Sequence, residues 1–134
     1  MNKKFILGIA AAAALAVGSL SVSAEGFAKT NTYTPGMFSD VPATEWYASS
    51  VSSSYELGFM KGTADGVFSP EGNMTVAEAV TIAARVHDAY NAKGTTFSQN
   101  GANWYDEYVK YAINNGIIKA DAFDDYERPV KRYE

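Results

Sequence analysis

Apolar residues recur at three- and four-residue steps in three stretches of the chain, and each stretch reads as a helix. In the first, Tyr47, Val51 and Tyr55 fall on one face. Thr44, just after Pro42, is its candidate N-cap, and Gly58 stands where the chain must leave the helix through a left-handed residue. The longest stretch runs Val76, Ala79, Val80, Ala83, Val86, Tyr90, an amphipathic helix with an alanine-rich face, expected to end near Lys93-Gly94. Thr75 and Glu78 open it at capping-box spacing, so each side chain can satisfy a backbone N–H of the first turn. The third stretch has Asn103 as candidate cap, Tyr105, Val109, Ala112 and Ile113 as its stripe, and Gly116 as its stop. Period-two alternation is nearly absent. Phe38 to Val41 and Gly66 to Phe68 are short extended pieces and no more, so the pattern predicts an all-α, helix–loop–helix fold.

The first and third helices are related. Trp46 to Lys61 lies over Trp104 to Lys119 without gaps, matching Trp46 to Trp104, Tyr47 to Tyr105, Val51 to Val109, Gly58 to Gly116 and Lys61 to Lys119. The apolar pair Phe59-Met60 meets Ile117-Ile118. Between the first two helices, the loop from Gly62 to Asn73 carries the turn signals Asp65-Gly66 and Pro70, with Phe68 as its large apolar plug. The second repeat has a shorter loop, Ala120 to Pro129, and its second helix would begin at Val130, with the sequence ending at Glu134.

The N-terminal residues have a different character. Lys3 and Lys4 precede an apolar run from Phe5 to Val17, followed by small residues with Val22 and Ala24 placed for cleavage. That is the three-part pattern of a secretory signal peptide over residues 1–24, and the apolar run is too short to span a bilayer comfortably. Residues 25–36 then read as a polar linker ending at Pro35-Gly36. The expected product is exported, with no membrane span after the leader.

Composition narrows the chemistry. The 134 residues contain no cysteine, which excludes disulfides, thiolate zinc sites and cysteine nucleophiles, and one histidine, which excludes a multi-histidine metal cage. A net charge of −4 argues against a general binder of nucleic acid or anionic membrane. With Gly66 set at the sixth position of a calcium loop, the first and twelfth positions are Lys61 and Gly72, where acids are required. His87 has Ala83 and Asn91 at i ± 4, so no helical ligand pair forms. Asp124-Asp125 is an adjacent loop pair rather than two carboxylates facing across a cleft. No metal, cofactor or catalytic group is expected.

Taken in order, Phe38-Ser-Asp40-Val41, Trp46, Gly58, the Gly62-x-x-Asp65-Gly66-x-Phe68-x-Pro70 loop and Met74-Thr75-x-Ala77-Glu78 resemble an S-layer homology repeat. The family's second helix opens on Thr-Arg-Ala-Glu. On this resemblance residues 37–94 form one repeat, and residues 95–134 a second, truncated one that stops within the same signature as Lys131-Arg132-Tyr133-Glu134. The resemblance implies repeats packed as part of a pseudo-threefold helical bundle and a non-catalytic role. It implies an anchor at the cell wall or S-layer that binds secondary cell-wall polysaccharide, pyruvylated sugars included, in grooves between repeats. Other such repeats or S-layer subunits are the further partners it implies.

Residue by residue, the signature arginine falls on Arg132, and in the first repeat on Val76, so that groove lacks its main anion contact. A guanidinium beside the free N–H groups of a helix start suits a carboxylate. Trp46 and Trp104 offer faces for a sugar ring, although an aromatic at a helix start is more often a core plug. Asp40 matches the family's aspartate and is expected to cap the approach to the first helix. The ligand-binding candidates are therefore Arg132, Trp46, Trp104 and Asp40. Two other readings keep the same domain: the N-terminal anchor of a larger exported enzyme such as a glycoside hydrolase, and a structural S-layer subunit.

Overall fold

The computed structural model describes residues 27–98 and 100–134; the expected signal peptide lies outside the described residues. Helix α1 spans Ala48–Glu56, α2 spans Val76–Tyr90 and α3 spans Asp106–Asn114. Among the described residues there is no strand, only two isolated bridges, Ala64 to Val67 and Thr75 to Pro129. The all-α expectation holds.

The start of α2 is built as its sequence predicts. Thr75 is extended, its Oγ1 accepts from the Glu78 N–H at 3.2 Å, and Glu78 Oε2 accepts from the Thr75 N–H at 2.7 Å. The other two caps differ from expectation. Thr44 does not cap α1, because backbone turns do that work: the Glu45 N–H donates to Pro42 O and the Ala48 N–H to Glu45 O, each at 3.0 Å. At α3 the polarity is reversed. Asp106 reaches back and accepts from the Asn103 N–H at 2.9 Å and from Asn103 Nδ2 at 3.2 Å, so Asn103 is the donor. An acid in the first turn also suits the positive end of the helix. The Asn103 backbone N–H, more than any other group, holds the Asp106 carboxyl below its usual pKa.

The buried face of α2 is rotated from the predicted stripe. Val76 and Val80 are buried as expected, joined by Ala77, Thr81, Ala84 and Asp88, whereas Tyr90 is 77% exposed. The reason is the partner. Helix α2 packs on α3, the one helix pair in contact among the described residues, and Val76, Val80 and Ala112 form a core with Val109, Ile117, Ile118, Phe123, Tyr126 and Val130 around it. Helix α2 is thus buried by α3 and the loop that follows it.

A separate core lies under α1, where Phe38, Val41, Val51 and Phe68 are buried and Tyr33, Tyr47 and Tyr55 pack against them. The residues expected as a linker contribute to it. The Thr30 and Asn31 N–H groups both donate to Glu56 O, at 2.7 and 3.0 Å, and Asn31 Nδ2 donates to Tyr55 O at 2.8 Å. These bonds satisfy carbonyls that every helix leaves open at its C-terminus. Gly58 follows with φ +74°, the left-handed exit its position predicts.

Candidate functional site

The helix start of the first signature is closed. Val76 is fully buried, and its N–H donates to Arg128 O at 3.0 Å. The Ala77 N–H donates to Tyr126 O at 2.8 Å, and the Glu78 N–H is taken by Thr75. Val130 returns a bond to Met74 O at 2.9 Å. The loop of the second repeat therefore occupies the donors that would otherwise face an anion at this helix start. Valine in place of arginine fits: a guanidinium at this position would stand inside the inter-repeat core.

The second signature repeats half of the capping geometry. The Lys131 N–H donates to Glu134 Oε2 at 2.9 Å, as Thr75 does to Glu78. Glu134 also takes both arms of Arg128, Nη1 at 2.9 Å and Nη2 at 2.8 Å. The Arg128 hydrogen bonds first, then the Lys131 N–H, hold the Glu134 carboxyl down to about 2. Arg132 lies exposed in the turn between these partners. Sequence reasoning missed Arg128, whose only signal is an arginine before the Pro129 of an aperiodic loop.

Neither tryptophan is a core plug: Trp46 is 85% exposed and Trp104 44%. Each stands edge-on to the tyrosine that follows it, Tyr47 and Tyr105. Trp104 also lines a cleft of about 280 Å³, together with Thr81, Ile82 and Arg85 of α2 and the Phe59–Thr63 turn. Arg85 ties the walls together. Its Nη1 donates to Phe59 O at 3.1 Å and its Nη2 to Tyr108 Oη at 2.9 Å, with the guanidinium carbon 5.0 Å from the Tyr108 ring centroid. Nothing in the periodic pattern singled out Arg85, which reads as one more polar residue on an amphipathic helix.

Asp40 clasps a loop rather than a helix. Its Oδ1 accepts from the Phe68 N–H at 2.9 Å and its Oδ2 from the Ser69 N–H at 2.6 Å. The Phe68 bond is the main reason its carboxyl lies below the usual value. Ser69 has φ +63°, so the carboxylate steadies a residue in an unfavourable backbone region. Phe68 and Ser69 border the cleft, which places Asp40 behind its rim. Of the four expected ligand residues, Trp104 lines this cleft; Trp46 and Arg132 stand elsewhere on the surface.

Among the described residues no group of three or more His, Asp or Glu side chains is placed to hold a metal ion, and no helix is long and apolar enough to cross a membrane. His87 Nδ1 lies 3.0 Å from Tyr111 Oη, joining α2 to α3.

The chain is 33% identical over 87% of its length to S-layer protein sap of Bacillus anthracis and 30% identical over the same share to an S-layer protein of Bacillus thuringiensis subsp. finitimus. It is 30% identical over 69% of its length to an amylopullulanase of Thermoanaerobacterium thermosulfurigenes. The aligned region covers 14% of each S-layer relative and 5% of the amylopullulanase, a small part of each. No solved structure matches the chain. Residues 38–80, which hold the Asp40 clasp, the Phe68 loop and the capping box, match the S-layer homology domain, so the chain carries an S-layer homology domain there.

Proposed function

We propose that this chain is secreted and acts at the bacterial cell wall as a non-catalytic anchor that binds secondary cell-wall polysaccharide. The observation that carries the reading is the S-layer homology domain at residues 38–80, in a chain alignable along most of its length with two S-layer proteins. The side chains suit the task. Anchoring to a glycan asks for exposed aromatic faces and fixed hydrogen-bond donors, and no reacting group. Trp46 and Trp104 are exposed, Arg132 is exposed on a turn held by the Glu134 clasp, and Asp40 fixes the loop at the cleft. Domain boundaries at residues 37–94 and 95–134 follow from the same reading.

The test is retention of the purified chain on cell-wall sacculi. The wild type is retained, and Arg132→Ala and Trp104→Ala are retained less. Equal retention of wild type and variants removes those residues from the site, and no retention of the wild type sinks wall binding. The amylopullulanase relative favours a second reading, in which the same anchor serves a larger exported enzyme. The reading frame beyond Glu134 decides it: a downstream catalytic domain supports that reading, and a stop codon ends it.

A further inference from the structure

The sequence contains two Asn-Gly pairs, Asn100-Gly101 and Asn115-Gly116, and the fold treats them oppositely. Such a pair is chemically labile, because glycine has no Cβ to keep its amide nitrogen away from the asparagine side chain. The reaction needs a free carboxamide and a free glycine N–H. At the second pair both are committed. Asn115 is the C-cap residue of α3; its Nδ2 donates to Tyr111 O at 2.8 Å and its Oδ1 accepts from Lys93 Nζ. The Gly116 N–H donates to Ile113 O at 3.0 Å. At the first pair neither group is committed. Asn100 and Gly101 are exposed, and among the described residues neither the Asn100 carboxamide nor the Gly101 N–H has a hydrogen-bond partner.

The chain is pinned on both sides of this pair. Before it, the Thr95 N–H donates to both oxygens of Asp88, at 3.2 and 3.1 Å, and the Phe97 ring stacks on Tyr108 with centroids 4.5 Å apart. After it, Asn103 donates to Asp106. Glycine at 101 is itself required, since a Cβ there would run into the Asp106 carboxylate. The packing that seats the start of α3 therefore keeps the labile pair in place.

We propose that Asn100 is a site of spontaneous deamidation in the folded chain, while the cap of α3 protects Asn115. The Gly101 amide nitrogen loses its proton to hydroxide and attacks Asn100 Cγ. The new C–N bond closes a five-membered succinimide, and the side-chain nitrogen leaves as ammonia. Water then opens one of the two imide C–N bonds, giving aspartate or isoaspartate at position 100. The net reaction is hydrolysis of one amide and needs no enzyme, metal or oxidant. Either product adds a negative charge to a chain of net charge −4, one residue from the glycine that packs on Asp106. Isoaspartate also lengthens the main chain by one methylene between α2 and α3. Both changes strain the Asn103–Asp106 contact at the start of α3. The inference is independent of the anchoring reading.

The test is incubation of the full chain in mildly alkaline buffer over days, with and without urea, followed by digestion in acid and peptide mass mapping. In the folded chain Asn100 should convert about tenfold or more faster than Asn115, which must first give up its cap bonds. In urea the two rates should converge. An intact Asn100, or equal rates at both sites in the folded chain, overturns the proposal. Rates that stay apart in urea overturn protection by the fold. Asn100→Gln, which would have to close a larger ring, should lose the product while keeping the fold. Aged wild type should then have a lower urea midpoint than aged Asn100→Gln; equal midpoints overturn the effect on α3.

Discussion

The sealed start of α2 makes a sharp prediction: restoring the arginine that the S-layer homology signature has at this position, Val76→Arg, should unfold or severely destabilise the chain. Val76 is fully buried and belongs to the one core that joins the two repeats. Val76→Ala removes two methyl groups, roughly 1.6 kcal/mol of transfer free energy at about 0.8 kcal/mol each, and leaves a cavity, for a total of about 2–3 kcal/mol. Val76→Arg loses the same packing and places an unpaired guanidinium where solvent does not reach, a further penalty of several kcal/mol. Domains of this size hold about 5–15 kcal/mol, so the alanine variant should survive with a lower midpoint, and the arginine variant should be largely or wholly unfolded.

Urea titration followed by far-UV circular dichroism measures both, with the midpoint and slope giving each free energy. Ala89→Arg, on the exposed face of the same helix, is the control and should stay within about 0.5 kcal/mol of wild type. If Val76→Arg melts where Ala89→Arg does, residue 76 is open to solvent, and the account of a closed helix start is wrong.

Other consequences follow from particular contacts. Thr81→Val removes a buried hydroxyl without a partner while keeping its shape, so stability should rise by up to about 1 kcal/mol; a lower urea midpoint would mean that the hydroxyl is bonded. Gly58 and Gly116 share a left-handed backbone, but a Cβ at Gly58 would stand 2.6 Å from Thr30 Oγ1 and one at Gly116 would meet nothing within 4 Å. Gly116→Ala should therefore cost about 1–2 kcal/mol and Gly58→Ala more, and equal thermal shifts would show that residues 30–31 do not pack on α1. The carboxyls of Asp40, Asp106 and Glu134 all have lowered pKa values, Glu134 to about 2 from an ordinary 4.5. A carboxylate whose folded pKa is depressed contributes stability above its unfolded value and loses it as pH falls through the folded one. Urea midpoints should accordingly fall from about pH 4.5 toward pH 2, and Arg128→Met should flatten the lower end of that slope; a midpoint that rises in acid would contradict it.

How far the sequence could be read depends on how local each determinant is. The Thr75–Glu78 box and the glycine after α1 are fixed by neighbours three or four residues away, and both appear where their residue types place them. Asp40 was legible as a capping acid but not in its target, because the donors it meets, Phe68 and Ser69, lie on the next loop and only the folded chain brings them to it. The face of α2 was misread for a related reason. A helix with alanines on several sides has no unique apolar stripe, so the folded chain, in which α2 packs on α3, decides that Thr81, Ala84 and Asp88 are buried and Tyr90 is exposed. Arg85 was invisible because its meaning comes from three separate segments, the Phe59 carbonyl, the Tyr108 hydroxyl and the cleft beyond them.

These failures share a cause that bears on function. The sequence repeats, so each helix–loop–helix unit invites reading as a package, yet α2 is completed by the next unit, whose loop also caps its first turn. A residue at the start of α2 is then a contact between repeats before it can be a contact with a ligand. That constraint accounts for the pair of signatures in one chain. Where the following loop closes over the helix start, valine fills the position as a core residue. At Arg132, exposed beyond the Arg128–Glu134 clasp, the arginine of the signature stays in solvent. The surfaces that this packing leaves open include the cleft lined by Arg85 and Trp104.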